Sequence, residues 1–403
     1  CGEPDKKPPL LLPFATLPKQ PLTDVFVEDS EERVPEYPLT VGFCPKCKLV
    51  QHQVIVDDSK LFGDDYAFFT GASPSSLPYF ETYAKNTKIR FPKQSSGFVV
   101  EIASNDGTLL KHFIGTSAKV LGIEPAGSTV ALAIQQGVPT LKKLFSLNTA
   151  MHVAREEGRA DLVMANNVVA HTDELLNFLQ GVCSLLDNNG VFIAEVQYFP
   201  HLLFNNAFDH LYHEHRSFFS FSSLLNAFNK AGLYVFSVME ADTQGGSIRV
   251  FAQRATGKEP VTPSVERLLK FEQDLDLDKV ETYQGFQSRI TYLKKELLKV
   301  LEELKLQGKT VYGFGASAKG NTLLNTFGIT PDLVPYIVDK TPYKIGKYAP
   351  GSKIPVVSEL DVPKPDYYLV LVWNYMKGIL EREKAFRENG GKFIVPIPNV
   401  SIL

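Results

Sequence analysis

Short apolar segments alternate with helical stretches in two separate parts of the chain. The first part has apolar segments at 98–102, 120–123, 162–165, 191–196 and 248–253. The second part starts at residue 308 and has apolar segments at 310–314, 336–339, 367–372 and 392–397. Alternation of this kind is typical of a parallel sheet with helices on both faces. The sequence therefore predicts an α/β protein with two doubly wound domains.

The region between these two parts carries one apolar stripe at helical spacing. Its members, three or four residues apart, are Tyr283, Phe286, Ile290, Leu293, Leu297, Val300 and Leu304. This period predicts a long helix with one apolar face. We favour a helix packed between two domains. A self-associating coiled coil is the alternative, although the repeat is short for one.

The first 60 residues contain nine prolines, which predict an irregular segment without long helices or central strands. A small module of this kind needs a cross-link, such as a disulfide or a bound metal ion, to stabilise its fold. Cys44 and Cys47 form a C-x-x-C motif, whose spacing lets two thiolates bind one zinc ion. We expect Cys1 to be the third ligand and the fourth to lie upstream of it. His52 as a ligand and a redox dithiol are the alternatives.

Composition excludes several classes of protein. The net charge of -3 argues against binding to nucleic acid or anionic lipid through bulk charge. The longest apolar runs are far shorter than the roughly 20 residues that a membrane helix needs. Four cysteines in 403 residues are too few for a disulfide scaffold, so we expect a reducing cytoplasm.

Two loops carry the chemistry of ligand binding. The loop E-I-A-S-N-D-G at 101–107 lets a ligand approach the backbone at a helix start, and Glu124 after the next strand can bind ribose hydroxyls. Without the G-x-G-x-x-G fingerprint, this pair leaves nicotinamide and S-adenosylmethionine (SAM) enzymes open. The loop G-A-S-A-K-G-N at 315–321 can hold a phosphate through backbone N–H groups, Ser317 and Lys319, although it is not a Walker A loop.

The segment 208–215, F-D-H-L-Y-H-E-H, concentrates titratable side chains. Three interpretations compete: a metal site from His210, His213 and His215, a hydrogen-bonded structural cluster, and a catalytic acid/base cluster. The H-x-x-H-x-H spacing does not match the H-E-x-x-H metal motif. A histidine with a pKa near 6.5 suits removal of a proton beside a ketone, and an O–H or N–H donor can stabilise the resulting enolate.

These motifs together resemble those of the sugar-nucleotide 3-C-methyltransferases, which make branched deoxysugars. The match includes the E-I-x-x-N-D-G loop, where Ala103 replaces the family's usual Gly, and Y-x-E-H at 212–215. By this resemblance His215 is the base, Tyr212 stabilises the enolate and Glu214 orients the pair. Tyr66, in a segment that resembles a loop closing over the site, is a further candidate.

The resemblance also implies the binding residues. SAM is expected to contact Glu101, Ala103, Asn105, Asp106, Gly107, Glu124, Pro125, Asn166, Asn167 and His171. The acceptor is expected to contact Gly245, Gly246, Arg249, Gly315, Ala316, Ser317, Lys319, Asn321, Asp339 and Lys344. Structural Zn²⁺ is assigned to Cys1, Cys44 and Cys47.

The expected architecture is a zinc-binding module over 1–60, a SAM-binding Rossmann-like domain with the catalytic cluster over 61–260, a helical connector over 261–307 and a Rossmann-like sugar-nucleotide-binding domain over 308–403. The expected activity is methyl transfer from SAM to C3, beside the C4 ketone, of a thymidine diphosphate keto-deoxysugar. We expect a monomer or small homo-oligomer. The alternatives are a NAD-dependent sugar-nucleotide oxidoreductase and a non-enzymatic zinc-stabilised scaffold.

Overall fold

The computed structural model describes residues 11–57, 61, 69–72 and 76–403. The strands in this part of the chain are β1 (Leu12–Gln20), β2 (Tyr37–Phe43), β3 (Val50–His52), β4 (Phe98–Ile102), β5 (Lys119–Glu124), β6 (Thr140–Lys142), β7 (Ala160–Asn166), β8 (Leu186–Gln197), β9 (Ser217–Phe218), β10 (Leu233–Ala241), β11 (Ser247–Arg254), β12 (Val311–Phe314), β13 (Ile337–Val338), β14 (Val356–Val357), β15 (Tyr367–Val370), β16 (Lys392–Val395) and β17 (Ser401–Ile402). They form three sheets.

The α-helices of the same residues are α1 (Ser76–Arg90), α2 (Pro92–Ser96), α3 (Gly127–Gln135), α4 (Leu147–Glu156), α5 (Leu175–Leu185), α6 (Phe199–Phe204), α7 (Phe221–Lys230), α8 (Pro263–Asp274), α9 (Phe286–Leu306), α10 (Ala318–Phe327), α11 (Met376–Arg382) and α12 (Lys384–Glu388). Within the described ranges no helix is long and apolar enough to span a bilayer.

The N-terminal module contains an antiparallel sheet of order β1-β2-β3-β9, so the prediction of an irregular segment was wrong. Pro13 and Pro18 lie in β1, which is the edge strand of this sheet. The pairing of β1 with β2 shifts register between Pro13 and Ala15 and again between Leu17 and Gln20. Proline is tolerated there because the outer side of an edge strand needs no N–H donor.

The fourth strand of this sheet, β9, comes from residues far along the chain. Val50 pairs with Phe218 and Gln51 with Ser217, directly after the predicted catalytic segment. The backbone N–H of His52 also donates to the carbonyl oxygen of Arg216 at 3.1 Å. The N-terminal module therefore holds the predicted catalytic segment in place.

The central sheet has the order β10-β11-β8-β7-β4-β5-β6. Its strands from β4 to β8 are parallel, and β11 runs antiparallel between β8 and β10. Every residue of β4 is buried, as expected for a strand covered by helices on both faces. The parallel strands bring the loops after β4, β5 and β7 to one edge, where ligands bind in open α/β sheets.

The C-terminal sheet has the order β14-β13-β12-β15-β16-β17, with only β17 antiparallel among the strands described. The loop after β12 contains the predicted phosphate-binding residues, and α10 follows it. The two predicted doubly wound sheets are therefore both present.

Helix α9 connects these domains as predicted, and its apolar stripe is buried within this chain. The stripe packs in one continuous core with strands of the N-terminal module and with the C-terminal domain. Two details of the prediction were wrong: Tyr283 lies in a preceding 3-10 turn, and Leu301 rather than Val300 is the fully buried member.

Candidate functional site

The loop after β4 has the backbone expected of a ligand-binding turn. Ala103, Asn105 and Gly107 all have positive φ angles, of 53°, 51° and 78°. The N–H of Ala103 donates to the carbonyl oxygen of Ile123 at 2.8 Å, which fixes the loop against β5. The positive φ of Ala103 explains why glycine suits this position, since a side chain there is strained.

Glu124 lies at the end of β5, beside this loop, and is buried. Its Oε2 accepts the N–H of Asn105 and its Oε1 that of Ala126, both at 3.0 Å. Burial raises the pKa of Glu124, while these two amides oppose the shift. Each carboxylate oxygen has a second lone pair, so the group can still accept hydrogen bonds from ribose hydroxyls. Pro125 follows directly at the same edge.

Two more acids stand at this edge of the sheet. Burial raises the pKa of Glu101 well above its usual value, and the side chain of Asn166 opposes the shift. Asp106 accepts the N–H of Gly71 at 2.7 Å. A bound cation would relieve the crowding of these acidic groups. This group of acids therefore fits SAM, which carries a positively charged sulfonium and an amine.

The turn at 70–72 covers the cofactor loop. The N–H of Thr70 donates to Oδ1 of Asn105 at 2.8 Å, alongside the bond from Gly71 to Asp106. The segment that ends here is the one that resembles a loop closing over the site, and these two amides were not apparent from the sequence. Tyr66, the candidate from that segment, lies outside the described residues.

Asn167 and His171 follow β7 at the cofactor edge. Asn167 has a φ of 54° and donates its backbone N–H to the carbonyl oxygen of Glu195 at 2.8 Å. The ring of His171 lies edge-on to that of His215, with centroids 4.9 Å apart. Burial, together with the charge of Arg216, lowers the pKa of His171 to about 4. His171 therefore connects the cofactor edge with the catalytic segment.

Tyr212 and His215 form a hydrogen-bonded pair. Tyr212 Oη lies 2.9 Å from His215 Nε2, and His215 Nδ1 lies 3.0 Å from the carbonyl oxygen of His210. A carbonyl can only accept, so Nδ1 carries the proton and Nε2 accepts from the tyrosine hydroxyl. Burial lowers the pKa of His215 well below its usual value, with a further contribution from His171. His215 is thus neutral at pH 7, as a general base must be.

Glu214 does not contact this pair, contrary to the orienting role expected for it. Its Oε1 is 3.5 Å from Thr23 Oγ1, in the N-terminal module. Burial raises the pKa of Glu214 well above its usual value, the charge of Asp24 adds to the shift, and that of Lys344 opposes it. The carbonyl of His210 orients His215 instead. Glu214 is a buried acid with a raised pKa where the N-terminal module meets the C-terminal domain.

The three histidines of the segment do not converge as metal ligands. His213 packs against Tyr37 and His52, whereas the rings of His210 and His215 lie 6.3 Å apart on the other side. Nowhere among the described residues do three potential ligands group around one point. The Nε2 atom of His52 lies 3.1 Å from the carbonyl oxygen of Tyr212.

Sequence reasoning missed a buried charge network behind the site. Glu195 is fully buried and accepts hydrogen bonds from Arg249 Nη2 at 2.7 Å, Tyr79 Oη at 2.6 Å and Thr243 Oγ1 at 3.1 Å. Arg249, expected to contact the acceptor, is thus paired with a carboxylate directly opposite it on β8. The signal was present: an acid and an arginine each interrupt an apolar strand.

The turn containing Gly245 and Gly246 lies against the chain's own aromatic rings. Both glycines have positive φ, of 83° and 118°. A Cβ on Gly245 would lie 3.2 Å from the Trp373 ring, and one on Gly246 only 2.1 Å from the His201 ring. The close approach that these glycines permit is therefore made to side chains of the same protein, between the central and C-terminal domains.

The loop after β12 is braced by its own charged residues. Ala316 donates its N–H to Asp339 Oδ2 at 2.6 Å and accepts a hydrogen bond from Lys344 Nζ at 2.7 Å. Ser317 caps α10 by accepting the N–H of Gly320 at 3.0 Å. Gly315, with a φ of 87°, turns the chain out of β12. The first amides of α10 face the end of this loop, as an anion site requires.

Two further predicted residues on α10 face the domain junction. Asn321 is fully buried and donates to the carbonyl oxygen of Thr23 at 2.7 Å. Lys319 is nearly as buried and acts electrostatically on Asp209, His210 and His215. Lys319 therefore brings a positive charge from the C-terminal domain to the catalytic segment.

Cys44 and Cys47 lie in the loop that joins β2 to β3. The N–H of Cys44 donates to the carbonyl oxygen of Leu49 at 2.9 Å, and the N–H of Lys48, whose φ is 63°, donates to that of Cys44 at 2.8 Å. This tight turn at a hairpin tip fits one half of a tetrahedral zinc site. Cys1, the third expected ligand, lies outside the described residues.

Comparisons with known proteins agree with this arrangement. Three family models match: "Putative zinc binding domain" at residues 7–62, a methyltransferase domain at 79–238 and a C-methyltransferase C-terminal domain at 242–398. The C-methyltransferase NovU of Streptomyces niveus is 34% identical over 407 residues, an alignment that covers 100% of this chain and 96% of the relative.

Solved structures give weaker similarities. A SAM-dependent methyltransferase from Clostridium acetobutylicum has a TM-score of 0.36 at 12% identity, covering 44% of this chain and 92% of that chain. Magnesium protoporphyrin IX methyltransferase from Synechocystis with bound SAM has a TM-score of 0.35 at 14% identity, covering 49% and 89%. The full-length similarity to NovU and the three matched models show that this chain belongs to the SAM-dependent C-methyltransferase family.

Proposed function

We propose that the protein methylates the carbon beside the ketone of a nucleotide-linked keto-deoxysugar, C3 beside a C4 ketone of a thymidine diphosphate sugar. The observation that carries this proposal is the bond between Tyr212 Oη and His215 Nε2, with Nδ1 fixed on a backbone carbonyl. A neutral imidazole paired with a hydroxyl donor is what deprotonation beside a carbonyl needs.

In this reaction His215 Nε2 takes the α-proton of the sugar, and the C–H electron pair forms the enolate. SAM supplies an electrophilic methyl group. The enolate carbon forms the new C–C bond as the C–S bond breaks, the ketone is restored and S-adenosylhomocysteine leaves. The imidazolium then returns its proton to solvent.

Tyr212 has two successive roles in the proposal. Without an acceptor, its hydroxyl donates to the nitrogen that must act as the base. When the C–H of the sugar approaches Nε2, that hydroxyl is displaced and becomes free to donate to the enolate oxygen. Tyr212 is only partly buried, whereas His215 is buried, so the tyrosine can reach an incoming ligand.

We assign the two ligands to the two sheet edges. The acids and turning residues at 101–107, with Glu124 and Asn166, would hold SAM. Lys319 and the start of α10 would hold the diphosphate, because a positive side chain and free helix amides attract anions. The interaction of Lys319 with His210 and His215 supports this assignment, since it brings the proposed diphosphate-binding side chain near the proposed base.

The test is to offer purified protein SAM with a labelled methyl group and a set of keto-sugar nucleotides. The variant His215→Gln should lose about 100-fold or more of kcat, the usual range for a general base. It should also lose exchange of the α-proton with deuterated water, while SAM binding measured by calorimetry stays unchanged.

The matched control is His152→Gln, whose ring lies beside Arg155 on the surface of α4. This variant should retain full activity. Full methyl transfer by His215→Gln would remove His215 from the mechanism, and failure of the wild-type protein to methylate any keto-sugar nucleotide would reject the proposed acceptor class.

We also propose that Cys44 and Cys47 bind a structural zinc ion with Cys1. Metal analysis of the purified protein should find about one zinc per chain, as expected for a site of this type. Cys44→Ser should lose the metal, while Cys183→Ser, at the half-buried cysteine of α5, should keep it. Wild-type protein without zinc would contradict the proposal.

A further inference from the structure

Asp209 is a fully buried carboxylate for which neither the sequence analysis nor the proposed function has a role. Its Oδ2 accepts the indole N–H of Trp373 at 2.7 Å, across the junction between the central and C-terminal domains. A buried carboxylate needs a counter-charge in addition to a neutral donor. The charge of Lys319 lowers the pKa of Asp209 and so opposes the effect of burial.

Lys319 is itself buried, and it lies against Trp373, the residue that bonds Asp209. Its ammonium donates to Oδ1 of Asn374, and it lies 5.9 Å from the centre of the Trp373 ring. Burial lowers the pKa of Lys319 to about 8, and the charge of Asp209 opposes this shift. Asp209, Lys319 and Trp373 therefore form one interdomain cluster.

The same cluster reaches the base through the backbone. Asp209 and His210 belong to one 3-10 turn, Phe208–His210. The carbonyl oxygen of His210 accepts the Nδ1 proton of His215 at 3.0 Å. The ring of His210 is hydrogen-bonded to the side chain of Gln197. Any shift of this turn moves the group that orients the catalytic imidazole.

We propose that Asp209 is a positioning residue that couples the acceptor-binding lysine Lys319 to the orientation of His215. The inference rests on the proposed function, because it takes the ligand of Lys319 to be the diphosphate of the acceptor. Asp209 holds the turn against the C-terminal domain through the charge of Lys319. A misplacement of about 1 Å at a reacting group can slow the reaction by about 100-fold.

The substitution Asp209→Asn tests this role with little change in shape. The new amide oxygen can still accept the indole N–H, so only the charge facing Lys319 is lost. We expect kcat to fall about tenfold while KM for the acceptor stays the same or decreases, because an unopposed ammonium attracts the diphosphate more strongly. A purely structural role would lower the melting temperature without producing this split.

A double-mutant cycle identifies the partner. In the Lys319→Met background, where KM for the acceptor is already raised, Asp209→Asn should change kcat less than about twofold. The control is Asp332→Asn, which removes an exposed carboxylate 2.6 Å from Lys305 on the surface of the C-terminal domain and should leave both constants unchanged. Equal effects of Asp209→Asn in both backgrounds would overturn the proposal.

Trp373 makes folding and binding at the cluster observable, because it is the single tryptophan of the chain. Its emission should respond when a thymidine diphosphate sugar binds to the wild-type protein, and not in Lys319→Met. If Asp209→Asn does not fold, Trp373→Phe removes the indole N–H that bonds Asp209, together with part of the ring, and should also lower kcat. An active wild-type enzyme with an unaffected Trp373→Phe variant refutes the positioning role, whereas an inactive wild type refutes the proposed function.

Discussion

The central and C-terminal sheets repeat one arrangement of strands and carry opposite charge. In each, the first strand lies between the second and the fourth, and the row continues through one more parallel strand to an antiparallel one, β11 beside β8 or β17 beside β16. The central sheet alone adds a further antiparallel strand, β10. In each, an acid after the second strand accepts an N–H from the loop after the first: Glu124 from Asn105, and Asp339 from Ala316.

The difference lies in the side chains that surround this shared device. The central edge gathers the acids Glu101, Asp106 and Glu124, whose mutual repulsion raises the pKa of Glu101 and Glu124 beyond the effect of burial. The C-terminal edge adds Lys319 and Lys344. One backbone frame can therefore hold a cationic ligand in one domain and an anionic ligand in the other.

The largest expected effect comes from replacing Glu124, the acid of the central sheet that accepts the N–H of the loop after β4. In Glu124→Gln, one of the two oxygens that accept backbone N–H groups is replaced by an NH₂ group. That NH₂ group is a donor and would face another donor. We expect SAM affinity to fall by about 10- to 100-fold, the range for a lost hydrogen bond to a charged group. Calorimetry with SAM and with a thymidine diphosphate sugar checks this.

Binding of the sugar nucleotide to Glu124→Gln should be unchanged, since its site lies in the other sheet. The exposed residue Glu156 on α4 gives the control, and Glu156→Gln should bind SAM normally. If SAM binds to Glu124→Gln with wild-type affinity, the acid of the central sheet has no part in cofactor binding.

The second prediction concerns the first residue after the first strand, which is Ala103 in one sheet and Gly315 in the other. Gly315 has a φ of 87°, and a Cβ there would lie 2.8 Å from Val372 Cγ2. Gly315→Ala should therefore destabilise the protein by about 1–3 kcal/mol, from backbone strain and crowding. Thermal unfolding measures the loss.

The reciprocal change, Ala103→Gly, should be close to neutral. Ala103 already occupies a φ of 53°, so glycine relieves strain. The relief is offset by about 0.5–1 kcal/mol of additional chain entropy lost on folding. A marked destabilisation by Ala103→Gly would show that its methyl group, and not its backbone angle, is what the loop requires.

Opposite pH dependences give the third prediction. Glu101 and Glu124 have raised pKa values, so they take up protons at a higher pH than ordinary carboxylates do, and acidification should weaken SAM binding. Lys319, with its pKa lowered to about 8, loses its charge as the pH rises above 8, and sugar-nucleotide affinity should then fall by up to about tenfold per pH unit.

Binding titrations from pH 5 to 9.5 distinguish the two edges. Lys319→Met should remove the alkaline loss of sugar-nucleotide binding and leave the acid loss of SAM binding intact. Parallel pH profiles for both ligands would contradict a charge-based division between the two sheets.

The elements of the two sheets that could be predicted from the sequence are those that coincide with continuous apolar segments. Strand β4 was predicted with its observed limits, and β12 and α9 to within a few residues. A strand covered on both faces must be apolar along its length, and a helix packed on one face must carry apolar residues every three or four positions. Both loops were found because small residues follow each first strand.

What the sequence could not show depends on long-range pairing. Strand β1 was missed because prolines argue against a strand inside a sheet but are tolerated in an edge strand. Which strand forms the edge is decided by the tertiary structure and cannot be read from the local sequence. The partner of Arg249 was missed because Glu195 stands opposite it only after β8 and β11 pair. The contacts of Glu214 with the N-terminal module likewise join residues almost 200 positions apart.

The smallest expected effect sharpens the comparison at the second acid. Asp339 accepts N–H groups from Ala316 and Thr341, at 2.6 and 2.7 Å, which corresponds to the position of Glu124 in the central sheet. A thymidine nucleotide has one free hydroxyl on its deoxyribose, where SAM has two on its ribose. Asp339→Asn should therefore cost only about fivefold in sugar-nucleotide affinity, near the value of one hydrogen bond.

Inorganic pyrophosphate separates the contributions of Asp339. It lacks the nucleoside, and removing a negative charge beside the anion site cannot weaken the attraction of Lys319 for it, so Asp339→Asn should bind pyrophosphate at least as well as the wild type. If pyrophosphate binding falls as much as sugar-nucleotide binding, then Asp339 acts by bracing the loop at Ala316. The resemblance of the two acids would in that case be confined to the backbone hydrogen bond.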